Sequence, residues 1–227
     1  RGRPVLDISE DVHEFIELHN FSREPVTLDN WRISGGIEYA FPAGTKIESG
    51  AYLVVAKDPK RLASIKEYRL GSFTVLGPYE GVLSNNGEEV SVENDGGNTE
   101  DSVRYSALFP WPIGADSIGA GPKWTGIDPM TYQYRGMSLE RVSFSLPGSD
   151  PANWVTSPIK KNATPGRPNH VARERSMPAP IVTSIRAVNS KGNTLIGKLD
   201  TVTIEAKLST NDTLADVTLE YFYDNLE

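Results

Sequence analysis

The side chains able to do chemistry in this sequence are few and scattered. Three histidines, His13, His19 and His170, are present. His13 and His19, six residues apart, sit at the two ends of the strand in "EFIELHN" (14–20), and Glu17 shares a strand face with His19 because alternate residues of a strand point the same way. Zinc takes three or four such donors, and the His19–Glu17 pair falls short of a full set. Glu14, Glu17 and Asp101 are the carboxylates on which a glycoside-cleaving pair would draw, yet nothing near them orients a leaving group. The chain contains no cysteine, which removes disulfides, thiolate metal sites and cysteine nucleophiles together. A G-x-S-x-G elbow, a phosphate-cradling glycine loop and an H-E-x-x-H motif are likewise missing from the sequence. No catalytic residue, cofactor or metal is expected, and the chain does not read as an enzyme.

One stretch tests that conclusion. "LSNNGEEVSVENDGGNTEDSVRY" (83–105) packs acidic and amide side chains around two adjacent glycines. A calcium loop needs oxygen ligands at fixed intervals, a glycine at the bend and a closing carboxylate. Setting Gly96 or Gly97 at the bend puts Ser91 or Val92 where the first ligand belongs, so the template fails. Val90 and Val92 alternate with polar neighbours, as do Val103 and Tyr105, and "NDGGN" between them is rich in residues that accept positive φ. The stretch is expected to form a hairpin. Asp101 shares a strand face with Val103 and Tyr105, so its carboxylate is expected to point inward and tie down a neighbouring loop. Asp101 and Glu17 are thus assigned structural polar roles.

Residues 106–136 are the least regular segment, and a length of that kind without periodicity tends to be functional or disordered. It carries Trp111, Trp124, Tyr132 and Tyr134 among prolines and glycines. Rings with a polar handle suit sugar or peptide contacts, and these four are the candidate ligand-contact residues. The alternative is that they roof one end of the core.

The elements that must position these residues are strands. "PVTLDNWRISGG" (25–36) supplies Val26, Leu28, Trp31 and Ile33 before a double glycine. The apolar run Tyr52–Ala56 is long enough for a strand buried on both faces and too short for a helix. "PKRLASIKEYRL" (59–70) has apolar residues at helical spacing behind Pro59 and predicts a short helix lying across the sheet edge, as a lid on the core. "GMSLERVSF" (136–144) predicts a further strand, and "DPANWVTSPIKKNATPGRPN" (150–169) an extended, proline-punctuated close. Residues 170–180 have linker composition. From Ile181 a second alternating pattern begins, with Val202, Ile204 and Ala206 inward, then Val217, Leu219 and Tyr221. It matches the opening of an immunoglobulin-like sandwich, at about half the usual ~100 residues.

Charge and hydropathy narrow the partners. The net charge of −7 offers no clustered cationic surface of the kind that displaces counterions from a duplex. Lys160, Lys161, Arg167, Arg173 and Arg175 are the one basic grouping, so nucleic acid is not expected as a partner. No apolar run approaches the roughly 20 residues a helix needs to cross a bilayer, and no membrane insertion is expected. "RGRPVLD" at one end and "YFYDNLE", inside a strand pattern, at the other read as the bounds of a piece of a longer polypeptide.

"EFIELHN", "EPVTLDNWRISGG", "YAFPAGTKIESGAYLVVAKDP", the 83–105 stretch, "GMSLERV" and "NWVTS…ATPGRPN" occur in that order. Together they resemble the lamin tail domain as found in bacterial exported proteins, over residues 14 to 169. The family normally opens with a strand carrying an Asn-Glu pair, of which "RPVLDISED" is a poor version, and the 106–136 segment is longer than the family pattern. The resemblance implies an all-β, immunoglobulin-like β-sandwich, usually beside other immunoglobulin-like modules, hydrolases or nucleases in secreted or surface proteins. It carries no shared catalytic residues.

The expected organisation is a lamin-tail-like sandwich over 1–169, a linker over 170–180 and a partial immunoglobulin-like unit over 181–227. The expected function is a non-catalytic module of an extracellular or cell-surface multidomain protein that binds protein or polysaccharide, or spaces its neighbouring domains. An accessory substrate-binding domain of an exported hydrolase or nuclease is the alternative. Half a sandwich leaves strand edges unpaired, so 181–227 is expected to pair with the first domain or another chain.

Overall fold

A computed structural model describes residues 14–70, 75–84, 86–106, 108, 110–112, 138–157, 163–172, 181–195 and 201–209. Two sheets form the body. Strands β1 (Phe15–His19), β6 (Tyr52–Ala56) and β7 (Val75–Leu76) make a three-stranded sheet in the order β1-β6-β7. The second sheet runs in the order β10-β9-β3-β4-β8. Its strands are β3 (Arg32–Gly35), β4 (Ile37–Ala40), β8 (Glu80–Gly81), β9 (Gly87–Glu93) and β10 (Thr99–Ser106). Two short strands, β2 (Val26–Thr27) and β5 (Lys46–Ile47), pair beside them. All of these pairs are antiparallel except β6 with β7.

The apolar core lies between the two sheets. Leu28, Ile33, Ile37, Phe41, Ile47, Leu53, Val55, Tyr79 and Val90 are buried there as one cluster, with Ile16, Leu18, Val92, Val103 and Tyr105 packed against it. Each fully buried aliphatic side chain of this kind contributes about 1.5–3 kcal/mol relative to exposure.

The run Tyr52–Ala56 is buried on both faces, as its unbroken apolar sequence predicts. Leu53 and Val55 face the inner core, while Val54 and Ala56 face outward into a second cluster with Leu62, Tyr68, Leu70 and Ala163. Helix α1 (Pro59–Ser64) supplies Leu62 to that outer layer. Asp58 caps the helix by accepting from the Arg61 amide, with Pro59 in the first turn. The helix lies on the outer sheet face, and it stops at Ile65, where the backbone turns extended before a single 3-10 turn at Lys66–Tyr68.

The glycine-rich stretch is the hairpin β9–β10, with Val92 opposite Asp101 and Val90 opposite Val103. Asn94 builds its turn. The Asn94 N–H donates to Asn98 O (2.9 Å), and its side-chain oxygen accepts from the Gly96 and Asn98 amides (3.0 and 2.9 Å), while Gly97 takes φ +74°. Those oxygens and amides are spent on one another, so the polar residues around the glycines serve the turn.

Beyond residue 137, β11 (Leu139–Arg141) and β12 (Trp154–Thr156) pair antiparallel, and residues 163–172 follow as a strap. Strands β13 (Ile181–Asn189) and β14 (Val202–Ser209) form a separate two-stranded sheet. Its turn repeats the first one: Asn189 donates to Asn193 O (2.9 Å), its side chain accepts from the Lys191 and Asn193 amides, and Gly192 takes φ +78°. Val202 and Ile204, expected inward, are 43% and 40% exposed, and Ile185 on the same face is 43% exposed. The residues from 210 onward, including Val217, Leu219 and Tyr221, lie outside those described.

Candidate functional site

Strand alternation puts Phe15, Glu17 and His19 on the outer face of β1, opposite Ile16 and Leu18 in the core. Two neighbouring arrangements grow from Glu17 and His19.

The first is a polar cluster around one buried residue, Glu140. The Gly166 amide of the strap donates to Glu17 Oε2. From β11 comes Glu140, whose side chain is only 1% exposed; its Oε1 lies 3.2 Å from His170 Nδ1. The second oxygen, Glu140 Oε2, is buried without a hydrogen-bond partner, as are Arg167 Nε and Thr164 Oγ1. Burial pushes the Glu17 carboxyl up to about 8; the Glu140 charge adds to this, while the Gly166 N–H and Arg167 oppose it. Glu17 therefore carries its proton at neutral pH. A carboxyl tuned this way suits acid–base work, but the strap amide occupies one of its oxygens and its charged neighbour is shut off from solvent. The cluster ties elements together.

The second arrangement is a row of rings. His19 stacks on Tyr52 at 4.2 Å between centroids and 9° between planes, and Phe144 tilts over His19 at 4.5 Å. Phe21 lies parallel to Phe144 at 5.6 Å and 8° and is 65% exposed. Burial lowers the His19 pKa, with the Gly50 backbone opposing it, so the imidazole is neutral at pH 7. The loop carrying Phe21 is held from beneath by Asn20. Its amide donates to Glu24 O (2.8 Å) and Ile47 O (2.9 Å), and its oxygen accepts from the Ser22 amide and hydroxyl (3.0 and 2.7 Å). The Ser49 hydroxyl adds a bond to Ser22 O (2.7 Å). An exposed ring thus stands on a loop fixed by five hydrogen bonds.

The residues singled out in the sequence go to different places. Glu17 is half-buried, with one carboxyl oxygen taken by the Gly166 amide. Asp101 corrects the expectation of an inward side chain: it shares the face of Val103, but at the rim of β10, beside a bulge after Thr99, and its side chain is 59% exposed. It does tie down a loop, since Arg141 bridges Asp101 Oδ2 (2.8 Å) and Leu146 O (2.7 Å). Glu14 accepts from the Tyr79 hydroxyl and the Leu83 amide (both 2.9 Å). The three carboxylates weighed as a hydrolytic pair are thus engaged with three separate partners. Trp111 is 6% exposed, with its ring 6.2 Å from Trp154, and it borders an open depression lined by Glu88, Arg104 and Tyr105. Its burial is the packing alternative of the two weighed for the aromatic segment. Trp124, Tyr132 and Tyr134 lie outside the described residues, as do His13, Lys160, Lys161, Arg173 and Arg175. Arg167 belongs to the polar cluster around Glu17.

The sequence reading missed the ring row and Glu140. Phe21 is a lone aromatic in a loop, and only the fold brings Phe144 to it. For Glu140, a carboxylate inside the apolar alternation of "SLERV" was the available signal.

A search of curated proteins found no match to this chain. A family model described as Lamin Tail Domain matches residues 4–107, a little under half of the 227 residues. The match takes in β1 to β10 together with "PVLDISED", the atypical opening, and it ends before β11, β12 and the strap.

Proposed function

We propose that this lamin tail domain, an immunoglobulin-like module, serves as a non-catalytic interaction and spacing unit of a secreted or cell-surface multidomain protein. It grips protein or polysaccharide through the face that carries Phe21. The observation that carries this reading is an aromatic ring 65% exposed, backed by a parallel ring, on a loop locked by Asn20. Rigid loops on a sandwich are where binding residues gather. A flat ring already fixed in place loses little conformational freedom when a sugar face or an apolar side chain settles on it. Glu17 and Glu140 nearby support the same reading, because each gives one carboxyl oxygen to the strap.

A glycan array and a pull-down from envelope extracts of the source organism test it, each run with the unaltered chain and with Phe21→Ala. Retention of the unaltered chain and its loss in F21A is the expected outcome. Equal retention of both proteins would remove Phe21 from the binding face, and no retention on either surface would leave the spacing role alone.

A further inference from the structure

The polar cluster on the outer face of β1 joins parts of the chain far apart in sequence. Glu17 and Gly166 are 149 residues apart, and Glu140 and His170 are 30 apart. The strap 163–172 is the last described segment before Ile181. It carries Ala163 into the outer apolar cluster, the Gly166 amide to Glu17, and His170 to Glu140. We propose that Glu17 and Glu140 form a proton-held latch that clamps the strap 163–172 across β1, and that loss of the Glu17 proton releases the strap.

The groups facing Glu17 set the direction of the switch. Glu140 projects from β11, and its negative charge bears on Glu17. Tyr52, on β6, senses the Glu17 charge as well, and His19 is its neighbour on β1. The strap offers one cation, Arg167, whose Nε is buried with no hydrogen-bond partner, together with the single amide of Gly166. His170 Nδ1 lies 3.2 Å from Glu140 Oε1. A charge on Glu17, opposed by that of Glu140, finds only the Gly166 amide and Arg167 to offset it. Lifting the strap gives both carboxylates to water.

The sign follows from linkage. Folded Glu17 has its carboxyl pushed up to about 8 from 4.5. Closure is fully favoured below about 4.5 and weakens as pH rises from there to about 8, where the effect levels off.

The chain has no cysteine, so a single introduced thiol is a clean reporter. Thr164 Oγ1 is buried and makes no hydrogen bond, which makes Thr164→Cys a small change that hides its thiol beneath the closed strap. Labelling by a thiol-reactive chromophore is followed from pH 6 to pH 8 in the full chain carrying T164C, alone and with Glu17→Gln. Thiolate chemistry is common to the two proteins and cancels in their ratio. The expected result is a ratio, T164C over T164C/E17Q, that climbs at least about tenfold between pH 6 and pH 8. A ratio constant with pH would overturn the latch, as would faster labelling of the Gln protein throughout. Should E17Q lose its fold by circular dichroism, Glu140→Gln carries the test: it removes the opposing charge and shrinks the rise seen with T164C, and an unchanged rise overturns the proposal.

Discussion

Asn153→Asp changes one nitrogen into one oxygen, and the structure assigns that exchange a large cost. Asn153 is wholly buried at the end of a 3-10 turn, Pro151–Asn153. Its amide donates to Ser143 O (2.9 Å), Leu146 O (3.0 Å) and Pro147 O (3.2 Å), while its oxygen accepts from the Ser143 amide (2.8 Å). It thereby gathers the loop between β11 and β12. The aspartate side chain has the same shape, so no cavity opens, and it keeps the bond from the Ser143 amide. Three carbonyl oxygens, however, lose their donor and face a carboxylate. Two good bonds lost at a buried site, at roughly 1–3 kcal/mol each, give a loss of about 4 kcal/mol at neutral pH. Burial among carbonyls raises the aspartate pKa above its usual ~3.9. Its penalty therefore grows as pH rises from that value towards the folded pKa, and shrinks in acid, where the protonated acid donates to one carbonyl. Urea unfolding followed by tryptophan fluorescence, with Trp154 next in the chain, measures the difference from the unaltered protein at pH 4.5 and 7.5. The variant should be weaker by at least about 1.4 kcal/mol more at pH 7.5 than at pH 4.5, one pKa unit of linkage. A difference below about 1 kcal/mol at both pH values would refute this account of the loop.

Gly35→Ala should lower the thermal midpoint by about 5 °C or more, because Gly35 sits at φ +109° and a Cβ there would meet Glu89 O at 2.1 Å; an unchanged midpoint would show that β3 and β9 separate freely. Asn94→Ala should cost about 1–2 kcal/mol in urea titration, and Asn94→Asp, which keeps the accepting oxygen, clearly less. Equal losses would mean that the turn does not depend on that oxygen. Phe21→Ala should leave the unfolding free energy from urea titration within about 0.5 kcal/mol of the original while abolishing ligand retention, since its ring is mostly exposed. A large stability loss would make Phe21 a packing residue.

Much of the sandwich was legible because apolar side chains on several strands follow the period of two. Val90 and Val92 alternate into the core from β9, and Leu53–Ala56, apolar throughout, proved to have no solvent side. The turn at Asn94 was legible for the same local reason: asparagine and glycine carry their conformational preferences with them. What local pattern could not supply was the distance from the core. Asp101 obeys the alternation from Tyr105 and Val103, but it sits where the sheet ends, and the face it shares is open there. Val202 and Ile204 alternate correctly and remain exposed among the described residues. The site was less legible than the fold, since Glu17, Glu140 and His170 meet only through tertiary packing. A carboxylate at position 140 or a phenylalanine at position 21 becomes meaningful once its neighbour, 30 or 123 residues away, is known.

The wall shared by the two apolar layers has a consequence for anyone who cuts this protein. Val54 and Val55 stand back to back in one strand, so the inner layer rests on a sheet whose reverse side is closed by Leu62, Tyr68 and, from far downstream, Ala163. A fragment trimmed to residues 4–107 would keep every strand of both main sheets and still lose part of its roof. The family-model match ends there; the tertiary unit extends at least to the residue that seals its outer side.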